Sequence, residues 1–269
     1  MASFALVDSV AAVLGLGRDI TQSLIEWSQR ARLRSHNSNF QKRFRLEVIA
    51  DNTDNTDNTD HHVDICFVHG LDGDWKFTWT DEQSGIFWPK DLLPSEPAIG
   101  STRVLSYGYD TMFPTTDYLT TRTLYHHANQ LVEELCIIRA KDNDCKRPII
   151  FIGHGLGGIV IQSAFILSSA SGDERLRSVC LSTAGVVFLG TPFRGVQDHE
   201  WVEWFSRLVR SSATANGVSL SNLEHDSKSL KNMLQPFIAA SFDIPICGFQ
   251  PKLGDKSHQV RFPADDSNL

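Results

Sequence analysis

Arg147-Pro-Ile-Ile-Phe-Ile-Gly-His-Gly-Leu-Gly-Gly-Ile-Val-Ile161 is the stretch whose reading decides the fold. Ile149 to Ile152 form a short apolar run, the pattern of a strand covered on both faces. Gly153 to Gly158 hold four glycines in six positions. From Ile159 onward, Ile159, Val160, Ala164, Phe165 and Leu167 read as an apolar helix. A strand that enters a helix through so tight a turn is the setting of a nucleophile elbow, G-x-S-x-G. The five residues here are Gly153-His154-Gly155-Leu156-Gly157. Every position conforms except the one that would react: Gly155 stands where a serine hydroxyl belongs.

The same glycines admit two other readings. Gly153, Gly155 and Gly158 spell G-x-G-x-x-G, the dinucleotide fingerprint, which calls for an acid at the end of the next strand, about 20 residues on. Asp173 has the count but falls in the polar segment Ser171-Gly172-Asp173-Glu174, read as a loop. The next strand ends at Gly190-Thr191 with no acid. The plainest alternative gives the glycines only the task of close packing.

Outward from the elbow, apolar strand patterns occupy 44–50, 63–68, 103–107, 184–189 and 244–249. Helical patterns occupy about 117–139, 198–210 and 226–240. The first carries Leu124, Ala128, Leu131, Leu135 and Ile138 as its inner stripe. This alternation predicts an α/β domain, a mainly parallel sheet with helices on both faces. The strand at 63–68 runs into His69-Gly70-Leu71-Asp72-Gly73, a turn suited to the first wall of an oxyanion site. The elbow follows about 85 residues later, room for two further strand–helix units. Trp75, Phe77, Trp79, Phe87 and Trp88 crowd the segment between, either packed beneath a long loop or lining a pocket mouth.

At 269 residues the chain accommodates one large domain, and a hydrophobic content of 41% suffices for its core. Net charge is −7 and no dense basic run occurs, which excludes nucleic acid as the expected partner. The five cysteines lack C-x-x-C or framework spacing, the pattern of reduced thiols in an intracellular, cytoplasmic protein. The adjacent pairs His61-His62 and His126-His127 point apart on a strand or helix, so no metal site is expected, and the reading calls for no cofactor.

Residues 1–43 read as a helical arm, with Ile20, Leu24, Trp27 and Ala31 on one face of a helix from Asp19 to about Arg34. The arm either packs on the domain or presents that face to a protein partner or a membrane surface. The apolar stretch before it is interrupted by Asp8 and too short for a transmembrane segment. No basic residue precedes it as in a signal peptide. Residues 51–60, with Asp-Asn-Thr repeated three times, form a polar surface loop that lacks the glycine and distal glutamate of a calcium loop.

Taken in order, His69-Gly70-Leu71, Phe87-Trp88-Pro89 to Leu93-Pro94, Arg103 to Tyr109, Gly153 to Gly158 and Gly190-Thr191-Pro192-Phe193-Arg194-Gly195 resemble a known group. They are similar to the lipase/serine-esterase-like α/β-hydrolases of the serine-active-site-containing protein group, over residues 44–250. Similar domains stand at the N-terminus of fungal proteins, ahead of NACHT and repeat domains. The resemblance implies an intracellular acyl-ester hydrolase domain with an acyl-ester or lipid ligand. It also implies peripheral association with a mitochondrial or endoplasmic reticulum membrane. In such an enzyme a serine at 155 attacks the carbonyl, and an acid and a histidine activate it. The peptide N–H groups of Leu71 and Leu156 hold the oxyanion.

This chain departs from that pattern in three places. Gly155 replaces the serine, and Gln250 stands where the group often has glutamate. Residues 251–269 are a polar, divergent or truncated tail without a clear strand pattern, and His258 is its one histidine. Three functions follow as expectations. One is a catalytically degraded hydrolase acting as a binding or signalling module. Another is an active hydrolase with an atypical site, for which His69 and His154 are the nearest bases. The last is a nucleotide-binding module.

Overall fold

The computed structural model describes residues 45–52, 63–71, 73–81, 84–95, 102–111, 121–141, 145–191, 198–211, 220–251 and 258–261. The strands are β1 (Leu46–Asp51), β2 (Val63–Val68), β3 (Thr102–Tyr107), β4 (Ile149–His154), β5 (Thr183–Leu189), β6 (Ile246–Pro251) and β7 (His258–Arg261). The α-helices are α1 (Trp88–Asp91), α2 (Thr121–Lys141), α3 (Leu156–Ala170), α4 (Glu174–Leu181), α5 (Asp198–Ser211) and α6 (Leu220–Ala240). The strands form one sheet in the order β1-β3-β2-β4-β5-β6-β7. Strands β2 to β6 are parallel, while β1 pairs antiparallel with β3 and β7 antiparallel with β6. The expected mainly parallel α/β sheet is thus present.

Strand order explains which face each connection covers. From β2 the chain steps one way to β3, then the other way to β4, β5 and β6. Right-handed crossovers in opposite directions must lie on opposite faces of the sheet. Accordingly, Trp79, Phe87, Trp88 and Leu93 from the β2–β3 connection pack with Ile65, Phe67, Val104 and Ile152. Leu124, Leu131, Ile159, Val160, Phe205 and Phe237 from α2, α3, α5 and α6 pack with Cys66, Val68, Phe151 and Phe188. Successive residues of β2 alternate between the two layers, as the strand pleat requires. Trp79, Phe87 and Trp88 belong to the first layer, where Phe67 meets Trp79 and Trp88 edge-on at 5.1 and 4.9 Å. These three are core and Trp75 is partly buried against them, while Phe77 is half-buried outside both layers.

At the amino end of the parallel strands lies a buried charge cluster that the sequence analysis passed over. Asp64 accepts from Arg103 Nε at 2.9 Å and Nη2 at 3.0 Å. It also accepts from Arg139 Nη1 at 2.9 Å and Arg147 Nη1 at 3.3 Å. These side chains come from β2, β3, α2 and the approach to β4, and all are buried. A carboxylate removed from water needs such partners.

Three expectations need correction. Glu174 is not a loop residue but the first of α4, and Asp173 precedes it as the cap, its carboxylate accepting the Arg175 amide at 2.9 Å. The cap supplies an acceptor to an otherwise unpaired first-turn N–H. Gln250 lies inside β6 rather than after it, opposite Gln259. The tail, despite its polar composition, adds β7 to the sheet edge, where backbone pairing alone suffices. The arm 1–43, residues 53–60 of the repeat loop, and Pro192 to Gly195 lie outside the described residues.

Candidate active site

The reversal of direction occurs between β2 and β4, which pair side by side. In open parallel sheets, ligands bind beyond the carboxyl ends of the strands at such a switch point. Here those ends carry His69-Gly70 and Gly155, so the two motifs singled out in the sequence become neighbours.

Gly155 is the residue preceding α3 and has φ 49° and ψ −114°. A left-handed φ with this ψ is adopted without strain by glycine alone. A sharp strand-to-helix turn of this kind is the setting in which a nucleophile elbow is built. The turn is fastened on three sides. The Gly155 amide donates to the Leu189 carbonyl at 2.9 Å, and the Gly155 carbonyl accepts the Gly158 amide at 3.2 Å. It also accepts the hydroxyl of buried Thr191 at 2.6 Å.

The remaining glycines of the motif are explained by contact. A Cβ at Gly157 would lie 2.2 Å from the Val68 carbonyl oxygen and 2.3 Å from that of His69. At Gly158 it would meet Thr191 Oγ1 at 2.3 Å, and at Gly153 the Ile161 Cδ1 at 2.6 Å. These distances are below any van der Waals contact, so α3 can approach β2 and β5 only with glycine at these positions. Close packing therefore accounts for Gly153, Gly157 and Gly158 with no phosphate. Gly155 is the one that needs its unusual φ.

The turn after β2 is equally constrained. The Tyr109 amide donates to His69 Nε2 at 3.2 Å. Nε2 is therefore the acceptor, and the proton resides on Nδ1, which donates to the Gly70 carbonyl at 2.9 Å. Burial pushes the His69 imidazole down to about 4, the nearby Asp74 carboxylate opposing that shift. With both nitrogens engaged and the ring held neutral, His69 has no lone pair to offer a nucleophile. His154 is half-buried, and its Nδ1 would lie 2.9 Å from a Cβ at Gly70. The thiols offer no substitute at the elbow. Burial raises Cys66 well above the ordinary thiol range and Cys247 to about 12, and all five cysteines are free.

Gln250 and His258 come together at this end of the sheet. Because β7 runs antiparallel to β6, its first residue, His258, pairs with Pro251 at the carboxyl end of β6. Three strand spacings separate β7 from β4, roughly 14 Å at 4.8 Å per strand. Leu71 follows the Gly70 turn and Leu156 opens α3, so both proposed oxyanion amides lie at the β2–β4 switch. Sequence reasoning assigned no role to Tyr109, to the Thr191 hydroxyl, or to Trp204, whose indole donates to the Gly190 carbonyl at 2.7 Å. The signal for Tyr109 was its place two residues past β3, beside the His69 strand.

No protein-family model matches the chain. Among curated proteins it is similar to Protein SERAC1 of Homo sapiens, 25% identical over 67% of this chain and 28% of that protein. The protein of the same name from Danio rerio is 26% identical, with the same coverage of 67% and 28%. The chain thus spans under a third of the length of the curated relatives it matches. Among solved structures, an inhibited esterase B from Lactobacillus rhamnosis has a TM-score of 0.38 at 11% identity, covering 92% of this chain and 84% of that one. Brefeldin A esterase, a bacterial homologue of human hormone sensitive lipase, has a TM-score of 0.32 at 12% identity, covering 88% and 62%.

Proposed function

We propose that this is a serine esterase/lipase-like α/β-hydrolase domain that has lost its nucleophile and serves as a binding or signalling module for an acyl-ester or lipid ligand. One observation carries the reading: Gly155 holds the φ 49°, ψ −114° geometry of an elbow and has no hydroxyl. The turn, the helix behind it and the facing His69-Gly70 turn are all in place, while the attacking atom is missing. The Leu71 and Leu156 amides then receive a ligand carbonyl or oxyanion without acyl transfer. Gln250 supplies no carboxylate to orient a histidine, which supports the same reading. By the resemblance, the domain is intracellular and peripheral to a mitochondrial or endoplasmic reticulum membrane. Similar domains stand ahead of NACHT and repeat domains, and the 19–34 segment is this domain's contact for a protein partner or membrane.

The test compares the unmodified chain with Gly155→Ser. The unmodified chain is expected to leave p-nitrophenyl esters and fluorophosphonate probes untouched, yet to bind a fluorescent long-chain acyl ester that unlabelled acyl ester displaces. Gly155→Ser is expected to be labelled slowly with poor turnover. Robust ester hydrolysis by the unmodified chain, abolished in a folded His154→Ala variant, would overturn the proposal in favour of an active, atypical hydrolase.

A further inference from the structure

The turn that presents the Leu71 amide is not held by its own residues alone. Two of the hydrogen bonds that fix His69-Gly70 come from Tyr109, two residues past the neighbouring strand β3. Its amide donates to His69 Nε2 at 3.2 Å, and its hydroxyl donates to the His69 carbonyl at 2.8 Å. The two rings stack at 4.4 Å with 16° between planes. Tyr109 is 3% exposed and is itself braced by Tyr107 at 5.7 Å and His127 at 4.9 Å. The carbonyl it fixes is one against which Gly157 packs, since a Cβ there would lie 2.3 Å from the His69 oxygen. One phenol thus sets both the shape of the β2 turn and its distance from the elbow helix.

We propose that Tyr109 is a positioning residue for ligand recognition: acting through His69, it holds the Leu71 amide toward the elbow, where it meets an acyl carbonyl or a tetrahedral oxyanion. This inference rests on Leu71 and Leu156 being the paired donors of the proposed function. A donor held rigid before the ligand arrives spends no reorganisation energy on binding. Tyr107 provides the internal control. Its hydroxyl is also buried and also hydrogen-bonded, but to the His127 carbonyl at 3.0 Å, away from the turn.

The experiment compares Tyr109→Phe with Tyr107→Phe. In the otherwise unmodified chain, amide order parameters of Gly70 and Leu71 are expected to fall from about 0.85 toward 0.6 in Tyr109→Phe and to stay near 0.85 in Tyr107→Phe. Equal loosening in both variants, or none in Tyr109→Phe, overturns the inference. Should Tyr109→Phe not fold, His69→Asn serves: its shorter amide can still donate toward the Gly70 carbonyl and no longer reaches the Tyr109 amide. Loosening of residues 70 and 71 there supports the lock, and unchanged order parameters overturn it.

A second arm uses Gly155→Ser. Its Oγ forms a bond to the phosphorus of a fluorophosphonate, the P–F bond breaks, and the hydroxyl proton passes to water. Adding Tyr109→Phe is expected to slow this step about tenfold, the scale of one lost hydrogen bond, and Tyr107→Phe by no more than about twofold. Equal rates overturn the positioning role. If Gly155→Ser is not labelled at all, the elbow reading fails, and the order parameters still decide the lock.

Discussion

The Thr191 hydroxyl donates to the Gly155 carbonyl at 2.6 Å, tying the end of β5 to the elbow two residues after that strand closes. Thr191 is fully buried, so the bond is shielded from water. Thr191→Val is expected to cost about 1 kcal/mol, plus the penalty of a buried carbonyl left short of a donor. Urea unfolding monitored by tryptophan fluorescence measures it. A change below a few tenths of a kcal/mol would show that the hydroxyl does not hold the turn.

Side chains at 155 should destabilise the fold while adding chemistry. At φ 49° an L-residue is strained by about 1–3 kcal/mol. Gly155→Ala and Gly155→Ser should therefore both melt a few degrees lower than the parent in a thermal scan. Adding Gln250→Glu to Gly155→Ser tests the triad. A large gain in probe labelling would make His258 a member of it, and no gain would exclude that role.

Asp64 is a fully buried carboxylate outside the candidate site. Asp64→Asn leaves Arg103, Arg139 and Arg147 around a neutral amide. The loss of an ion from a buried cluster costs about 3–5 kcal/mol. A midpoint shift in urea of that size, or failure to express as soluble protein, is the expected outcome. A loss under about 1 kcal/mol would mean that the cluster is solvated.

Gly157 and Gly172 make a matched pair. Gly157→Ala places a methyl 2.2 Å from the Val68 carbonyl and must push α3 off β2, whereas nothing lies within 4 Å of a Cβ at Gly172. Overpacking of this kind costs typically 1–3 kcal/mol, while the exposed position should change by less than about 0.5 kcal/mol. Parallel denaturation curves of the two variants check the contrast.

Acid should weaken the domain through His69 and His127, both pushed by burial from 6.5 down to about 4. A folded-state value below the unfolded one means the native state prefers the neutral ring. The stabilisation is complete above about pH 6.5 and is lost as pH falls toward 4. For His69 the span corresponds to about 3 kcal/mol. The groups facing His69 are Tyr109, Asp74 and His127. Stability against urea, measured at steps between pH 7 and 4, should fall across this window, and the fall should shrink in His69→Gln.

What the sequence determined by itself was local and periodic. Ile149–Ile152 and Val63–Val68 announced buried strands because both faces are apolar, and the glycines at 153–158 announced a tight strand-to-helix turn because other residues resist it. Those two patterns, with the helices between them, were enough for the parallel sheet and for Gly155 at its elbow. That position 155 carries no hydroxyl was legible in a single letter. What only the tertiary structure decided depends on contacts between distant parts of the chain. Asp64 and its three arginines lie 39 to 83 residues apart. Tyr109 reaches His69 across 40 residues. Pairing of this kind is set by strand order and by which face each crossover takes, and no spacing along the chain encodes it. The polar tail joined the sheet as β7 for a similar reason. An edge strand needs only backbone partners, and the partner, β6, was supplied by the fold.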